Sequence, residues 1–445
     1  MTKMKLTLPH ESRMKSKDFT YGVATAAFQI EGGIEQRLPC IWDTFCEKPD
    51  TIADNSNGAI ACDHFHLWQQ DIEMIKALNV DAYRLSVSWG RVINQDGTVN
   101  QSGIQFYLQL LDLLNQYNIK VFITLYHWDL PQYLEDNGGW LNRETAYQFQ
   151  HYTEQVVNAF GDRVYSYATL NEPFCSAYLG YELGIHAPGI KGKKYGRKAA
   201  HHLLLAHGLA MQVLNKHSPK TLNGIVLNFT PAYPATDSES DIAAAKFADD
   251  YLNQWYIKPI IDGQYPEILA QLPAAHQPEI FADDLAIISQ AIDFLGINYY
   301  SRALYQADDV DIYREVKPAD APLTDMGWEI YPQGLTDLLI SLNQHYKLPP
   351  VYITENGAAM KDTIIDGNVN DVERIAYYQS HLLAVDQAIN AGVDIKGYFA
   401  WSLMDNFEWA EGYLKRFGIV YVDYLTQQRT VKASGHAFSQ LSKDR

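Results

Sequence analysis

Cysteine is scarce in this chain: Cys40, Cys46, Cys62 and Cys175 are the only four in 445 residues, and none stands in CxxC spacing. Four such thiols are too few to staple a chain of this length and lack metal-type spacing, so they read as reduced thiols of a cytoplasmic protein. Basic charge is also short, with 35 Lys and Arg against 53 Asp and Glu, a formal charge of -18 and a pI near 5.1. That field argues against nucleic acid and anionic membranes as partners, and suits a neutral small-molecule substrate. Long apolar runs are missing too. Residues 1–17 are polar and lack the apolar core of a secretory signal, and no stretch reaches the roughly 18 apolar residues of a membrane span. Without Pro- or Ser-rich linkers, repeats or low-complexity tracts, 1–445 reads as a single domain, with 1–17 as a loosely ordered N-terminal extension. A homo-oligomer is left open.

What the chain does have is an alternation. Eight short apolar or β-branched runs, at 19–24, 82–87, 120–125, 164–170, 224–229, 293–297, 351–354 and 395–400, are each followed by a longer stretch. Helical spacing of apolar residues is plain at 71–78, 103–117, 144–159 and 372–389. Eight strand–helix units predict an α/β fold closed as a (β/α)8 TIM barrel, with its site at the C-terminal ends of the strands. The stretch 302–333 is too long for an ordinary connection and leaves a strand on that same side, which points to a functional loop.

Polar residues fall at those strand ends. Gln29 follows the first run, Arg84 lies in the second, His127 follows the third, and Asn171 and Glu172 the fourth. Asn298 and Tyr300 follow the sixth, Glu355 and Asn356 the seventh, and Trp401 the eighth. In a barrel these positions converge on one pocket. Pro173 bars Glu172 from helical geometry, which predicts an extended strand end or a tight turn; Glu355 precedes a turn-forming Asn-Gly. Two carboxylates in one pocket are the minimum kit for glycoside hydrolysis. Aldolase or isomerase chemistry would call for a buried lysine, a phosphate-binding glycine loop or metal ligands, and none stands at a strand end. His64 and His66, and His201 with His202, lack the spacing of a helical ligand pair, so no metal or cofactor is expected. The 30 Tyr, 17 Phe and 9 Trp fit either core packing or stacking faces for sugar rings, and composition does not separate the two.

With these residues placed, the chain resembles glycoside hydrolase family one, the β-glucosidase family, from about Phe19 to the C-terminus. The resemblance is carried by 19–33, 126–131, 169–173, 186–189, 296–300, 353–357 and 401–409, seven blocks in family order. It implies a retaining enzyme with Glu355 as nucleophile, Glu172 as acid/base and carboxyls about 5 Å apart. It further implies that Arg84, Asn298 and Tyr300 support the nucleophile. Gln29, His127, Asn171 and Glu408 would bind sugar hydroxyls, Trp401 and Trp409 would frame the ring, Trp328 would carry the leaving group, and the Trp401–Ser402 peptide would be cis. The implied substrates are cello-oligosaccharides, as in cellulose degradation, or aryl and alkyl β-glucosides, with galactoside or fucoside side activity. Alternatives on the same scaffold are a transglycosidase and a 6-phospho-β-glycosidase. The phosphate-binding serine, lysine and tyrosine of the latter correspond here to Glu408, Lys415 and Phe417. A sugar-binding protein with a dead site would have lost Glu172 or Glu355, and both are present. Ala27, Phe28, Cys40 and Phe174 depart from the commoner pattern, and Phe174 bears on aglycone preference.

Overall fold

The computed structural model describes residues 5–445. The eight apolar runs are strands β1 Thr20–Ala24, β2 Ala82–Ser86, β3 Lys120–Tyr126, β4 Ser166–Asn171, β5 Leu222–Asn228, β6 Phe294–Asn298, β7 Val351–Asn356 and β8 Ile395–Trp401. All are parallel, and they bond in the order β1-β8-β7-β6-β5-β4-β3-β2 with β1 pairing β2 to close the barrel. Strands covered on both faces need side chains that are apolar throughout, which is why the runs are continuous rather than alternating. The barrel interior is filled with rings: Phe122 lies 4.9 Å from Phe399 and 5.6 Å from Tyr352, centroid to centroid. Gly22 on β1 makes room for this layer, since a Cβ there would sit 2.3 Å from the Phe399 ring.

Helices close the outside. In Gln101–Gln116 the buried Ile104, Tyr107, Leu111 and Leu114 recur at helical spacing and press on the sheet. Glu144–Phe160, Lys193–His217, Pro332–His345 and Val372–Asn390 occupy equivalent places after later strands. The helix expected at 71–78 begins earlier, as His64–Ala77, because its first turns carry polar residues that blur the apolar period. Its His64 bonds Asp71 at 2.8 Å, and His201 lies between Tyr265 and Asp284, so both histidine clusters are used in local hydrogen bonding.

Two regions differ from the sequence reading. The stretch 302–333 is not an irregular loop throughout: Ala303–Asp308 and Ile312–Val316 form an antiparallel hairpin, and the first of these pairs with Ala232–Pro234. Its side chains alternate because one face packs on the helix Glu239–Asp249 through Ala303, Tyr305, Ala245 and Ala248. The extension expected to be loosely ordered is held from residue 5 onward. Met14 is fully buried, Thr7 exchanges hydrogen bonds with Gln379, and Ser12 bonds Asp386. A few apolar side chains in a polar stretch suffice to seat it against Val372–Asn390; residues 1–4 of that expectation lie outside the described residues. Among the described residues, no helix is long and apolar enough to cross a membrane.

Candidate active site

The two carboxylates leave their strands at irregular points. The β4–β5 register shifts between Ala168 and Asn171, and the β6–β7 register shifts between Ile353 and Glu355. Such slips re-aim side chains at a barrel rim. Glu172 has φ of 46°, so it occupies the left-handed region rather than the extended conformation that Pro173 also allows. A non-glycine residue there costs about 1–3 kcal/mol and persists where the surroundings fix it. Here the Glu172 N–H donates to Val226 O and its carbonyl accepts from Cys175 N–H, both at 2.9 Å. Trp128 and Trp409, which line the same cavity, also have positive φ, at 78° and 48°.

One hydrogen-bonded chain joins the carboxyls. Arg84 Nη1 donates to Glu355 Oε1 at 2.6 Å, and Arg84 Nη2 donates to Asn171 Oδ1 at 2.7 Å. Asn298 Nδ2 donates to the same Asn171 Oδ1 at 3.1 Å and to Glu172 Oε1 at 2.6 Å. Thr354 orients Asn298 by donating to its Oδ1 at 2.7 Å. The second oxygen of Glu355 accepts from the Tyr300 hydroxyl at 2.6 Å. The second oxygen of Glu172 accepts from the Cys175 thiol at 3.0 Å.

These surroundings differ in charge. Burial raises the Glu355 carboxyl, while the Arg84 guanidinium and the Tyr300 hydroxyl oppose that rise by stabilising the ionised form. Among the described residues, Glu172 has no cation in direct contact. Burial and then the charge of Glu355 push it up to about 7. Of the two, Glu172 therefore keeps its proton to higher pH. Glu408 is half-buried with its Oε2 shielded from solvent, and that desolvation, followed by the charges of Glu355 and Glu172, pushes it up to about 8.

The strand ends open into a cavity of about 820 Å³ lined by Glu172, Glu355, His127, Asn298, Tyr300, Trp328, Trp401, Glu408, Trp409 and Phe417. Arg84 and Asn171 are buried and reach this group through hydrogen bonds rather than as lining residues, while the buried Gln29 donates to Asn406 Oδ1 at 3.0 Å and to Phe407 O at 2.8 Å, next to Glu408 in the chain. Among the described residues, the buried atoms Gln29 Oε1, Glu408 Oε2 and His127 Nδ1 have no protein partner. Burial and the charge of Arg84 keep His127 neutral. Its Nε2 accepts from Asn171 Nδ2 at 3.1 Å, because Asn171 Oδ1 is already taken by Arg84 and Asn298. The His127 proton therefore sits on Nδ1, making it a donor beside two acceptors. The His127 ring lies nearly parallel to those of Trp401 and Trp409, at 5.8 and 5.9 Å. Toward the mouth, Trp328 lies 5.4 Å from the Tyr300 ring and 6.1 Å from that of Phe417. The Trp401–Ser402 peptide is cis, and so is Ala187–Pro188, which the sequence reading had not anticipated.

Sequence reasoning missed several lining residues. Asn228 ends β5 and obeys the strand-end rule that found the others, but the fifth run was passed over. Cys175, Tyr178 and Leu183 enter on the π-helical segment Cys175–Leu183, and Leu252 and Asn253 on a second, Asp250–Gln254. No sequence period marks such a segment, although π-turns recur at functional sites. Tyr313, Glu315, Val316 and Lys317 arrive through the hairpin that was read as loop.

Known proteins agree with this geometry. The family model described as Glycosyl hydrolase family 1 matches residues 11–445. The chain is 45% identical over 435 residues to a beta-glucosidase from Agrobacterium sp. (strain ATCC 21400), covering 96% of this chain and 94% of that one. It is 44% identical over 432 residues to beta-glucosidase A from Thermotoga maritima, covering 96% and 97%. Among solved structures, the Thermotoga maritima family 1 glycoside hydrolase complexed with a cyclophellitol analogue transition state mimic superposes with a TM-score of 0.94 at 44% identity, covering 96% and 98%. The conjunction of a closed barrel, two linked carboxyls of unlike environment and similarity along nearly the whole chain leaves one assignment: the chain belongs to glycosyl hydrolase family 1 and is a glycoside hydrolase.

Proposed function

We propose that this enzyme is a retaining, exo-acting β-glucosidase that removes terminal β-D-glucosyl residues by double displacement. The observation that carries the reading is the asymmetry of the carboxyl pair: Glu355 is matched by Arg84 and Tyr300, whereas Glu172 has no such cation. Glu355, ionised, attacks the anomeric carbon while Glu172 gives its proton to the leaving oxygen. Once Glu355 is esterified its charge is gone, and Glu172, now ionised, takes a proton from the incoming water. Glu408, Gln29 and His127 supply acceptors and a donor for the hydroxyls of the terminal sugar, with Trp401 and Trp409 around its ring.

On the leaving-group side, Leu183, Ile185 and Leu323 line the cavity yet remain 37%, 53% and 49% exposed. That apolar mouth favours aryl and alkyl aglycones over the second sugar of a cello-oligosaccharide. A 6-phosphate is disfavoured. Glu408 is a half-buried acid in the lining, Phe417 offers no hydroxyl, and Lys415 is outside the lining and bonded to Asp325 O at 2.7 Å. The test is proton NMR of the first-formed sugar from a nitrophenyl β-glucoside. β-Glucose appearing before mutarotation is expected, and α-glucose would overturn the retaining mechanism.

A further inference from the structure

We propose that Cys175 is a positioning residue for Glu172, its thiol holding Oε2 in both protonation states through which the acid/base must pass. The proposal rests on the reading of Glu172 as acid/base. It starts from an asymmetry between the two oxygens of that carboxyl. Oε1 faces Asn298 Nδ2 at 2.6 Å, and an amide N–H only donates. Oε2 faces Cys175 Sγ at 3.0 Å, and a thiol both donates weakly and accepts weakly. Oε1 is therefore held as an acceptor, so the transferable proton belongs on Oε2. With Glu172 protonated, sulfur tolerates the O–H beside it. After that proton moves to the leaving oxygen, the S–H turns to donate to the new carboxylate, and no bond to sulfur forms or breaks.

The placement is fixed by the backbone. Cys175 N–H caps Glu172 O at 2.9 Å, and Cys175 opens the π-helical segment that follows. Cys62, by contrast, donates to the Asp405 carbonyl at 3.1 Å. Burial and the charge of Glu172, with further push from Glu355 and Glu408, raise the Cys175 thiol well above its usual range. It stays a donor rather than a nucleophile. The ionisable groups facing this pair are Glu355 on β7, Arg84 on β2, Tyr300 after β6, Glu408 after β8, and Tyr256 across from the thiol.

The experiment compares pH profiles of kcat/KM on an alkyl β-glucoside, whose poor leaving group needs the proton, for wild type, C175S, C175V and C175A. Losing a donor to the carboxylate raises the Glu172 pKa. The alkaline limb should thus move up by about half a pH unit or more in C175V and C175A. In C175S, which keeps a group that donates and accepts, it should stay near wild type. Thermal melts of all variants confirm folding, and C175A serves where C175V does not fold. An alkaline limb unmoved in the valine and alanine variants, or moved equally in all three, would overturn the proposal. Glu172→Gln separates this from failure of the underlying reading. If that variant retains the alkaline limb, Glu172 is not the acid. If it loses the limb while C175V leaves it in place, only the role of Cys175 falls.

Discussion

Arg84 and Glu355 form a buried ion pair at 2.6 Å, reaching across the barrel from β2 to β7. Neither charge has solvent to fall back on. Replacing Arg84 by Met should leave a buried carboxylate uncompensated, a loss on the order of 3–5 kcal/mol by analogy with broken buried pairs. Because Arg84 lowers the Glu355 pKa, its removal should shift the acid limb of the pH–rate profile upward, and a full kcat/KM profile reads this.

The pH dependence of the native enzyme follows from the same pair. In the proposed double displacement, activity requires Glu355 ionised and Glu172 protonated. With Glu172 near 7, kcat/KM should fall as pH rises through about 7. Glu172→Gln should abolish that limb. It should also spare formation of the glycosyl-enzyme from a dinitrophenyl glucoside far better than from an alkyl glucoside, because only the latter needs protonation. Single-turnover rates on the two substrates check this, and equal losses would count against Glu172 as acid.

In the proposed reading, sugar recognition rests on Glu408. Replacing it with Ser removes a carboxyl that would bond a pair of sugar hydroxyls, and two hydrogen bonds at about 0.5–1.5 kcal/mol each set the loss. kcat/KM on nitrophenyl β-glucoside should therefore drop roughly 10- to 100-fold. The wild type should prefer the unphosphorylated glucoside over its 6-phosphate. A higher kcat/KM on the phosphorylated sugar would transfer the assignment to a phosphoglycosidase.

Beneath the strand-eight loop lies a buried lysine. Lys432 Nζ bonds Asp362 at 2.5 Å and Asp405 at 2.6 Å, while Asp405 also accepts from the Gly418 N–H beside Phe417. Lys432→Met should destabilise the fold by roughly 1–3 kcal/mol, since two buried carboxylates each lose a hydrogen bond while Arg374 and Arg416 still compensate their charge. Chemical denaturation measures the loss.

The barrel and its two carboxylates were legible because parallel strands buried on both faces must be apolar, and a polar residue ending such a run stands out. Gln29 and His127 stood at strand ends and Glu408 followed from the family blocks; the structure adds that each has a buried polar atom with no protein partner among the described residues. What stayed hidden depends on local backbone geometry. The left-handed turn at Glu172 places Cys175 against its carboxyl, and four thiols scattered in sequence gave no sign of that. The hairpin from Ala303 escaped because its alternation is short and lies off the barrel. Met14 was masked by the polar residues around it.

The central claim is that Glu355 becomes covalently bonded to the sugar. It is tested by incubating the enzyme with a 2-deoxy-2-fluoro-β-glucoside bearing a good leaving group, then mapping the labelled peptide by mass spectrometry. The account predicts time-dependent inactivation with one fluoroglucosyl ester, located on Glu355. A label on another carboxylate, or turnover with inversion and no trapped ester, would contradict it.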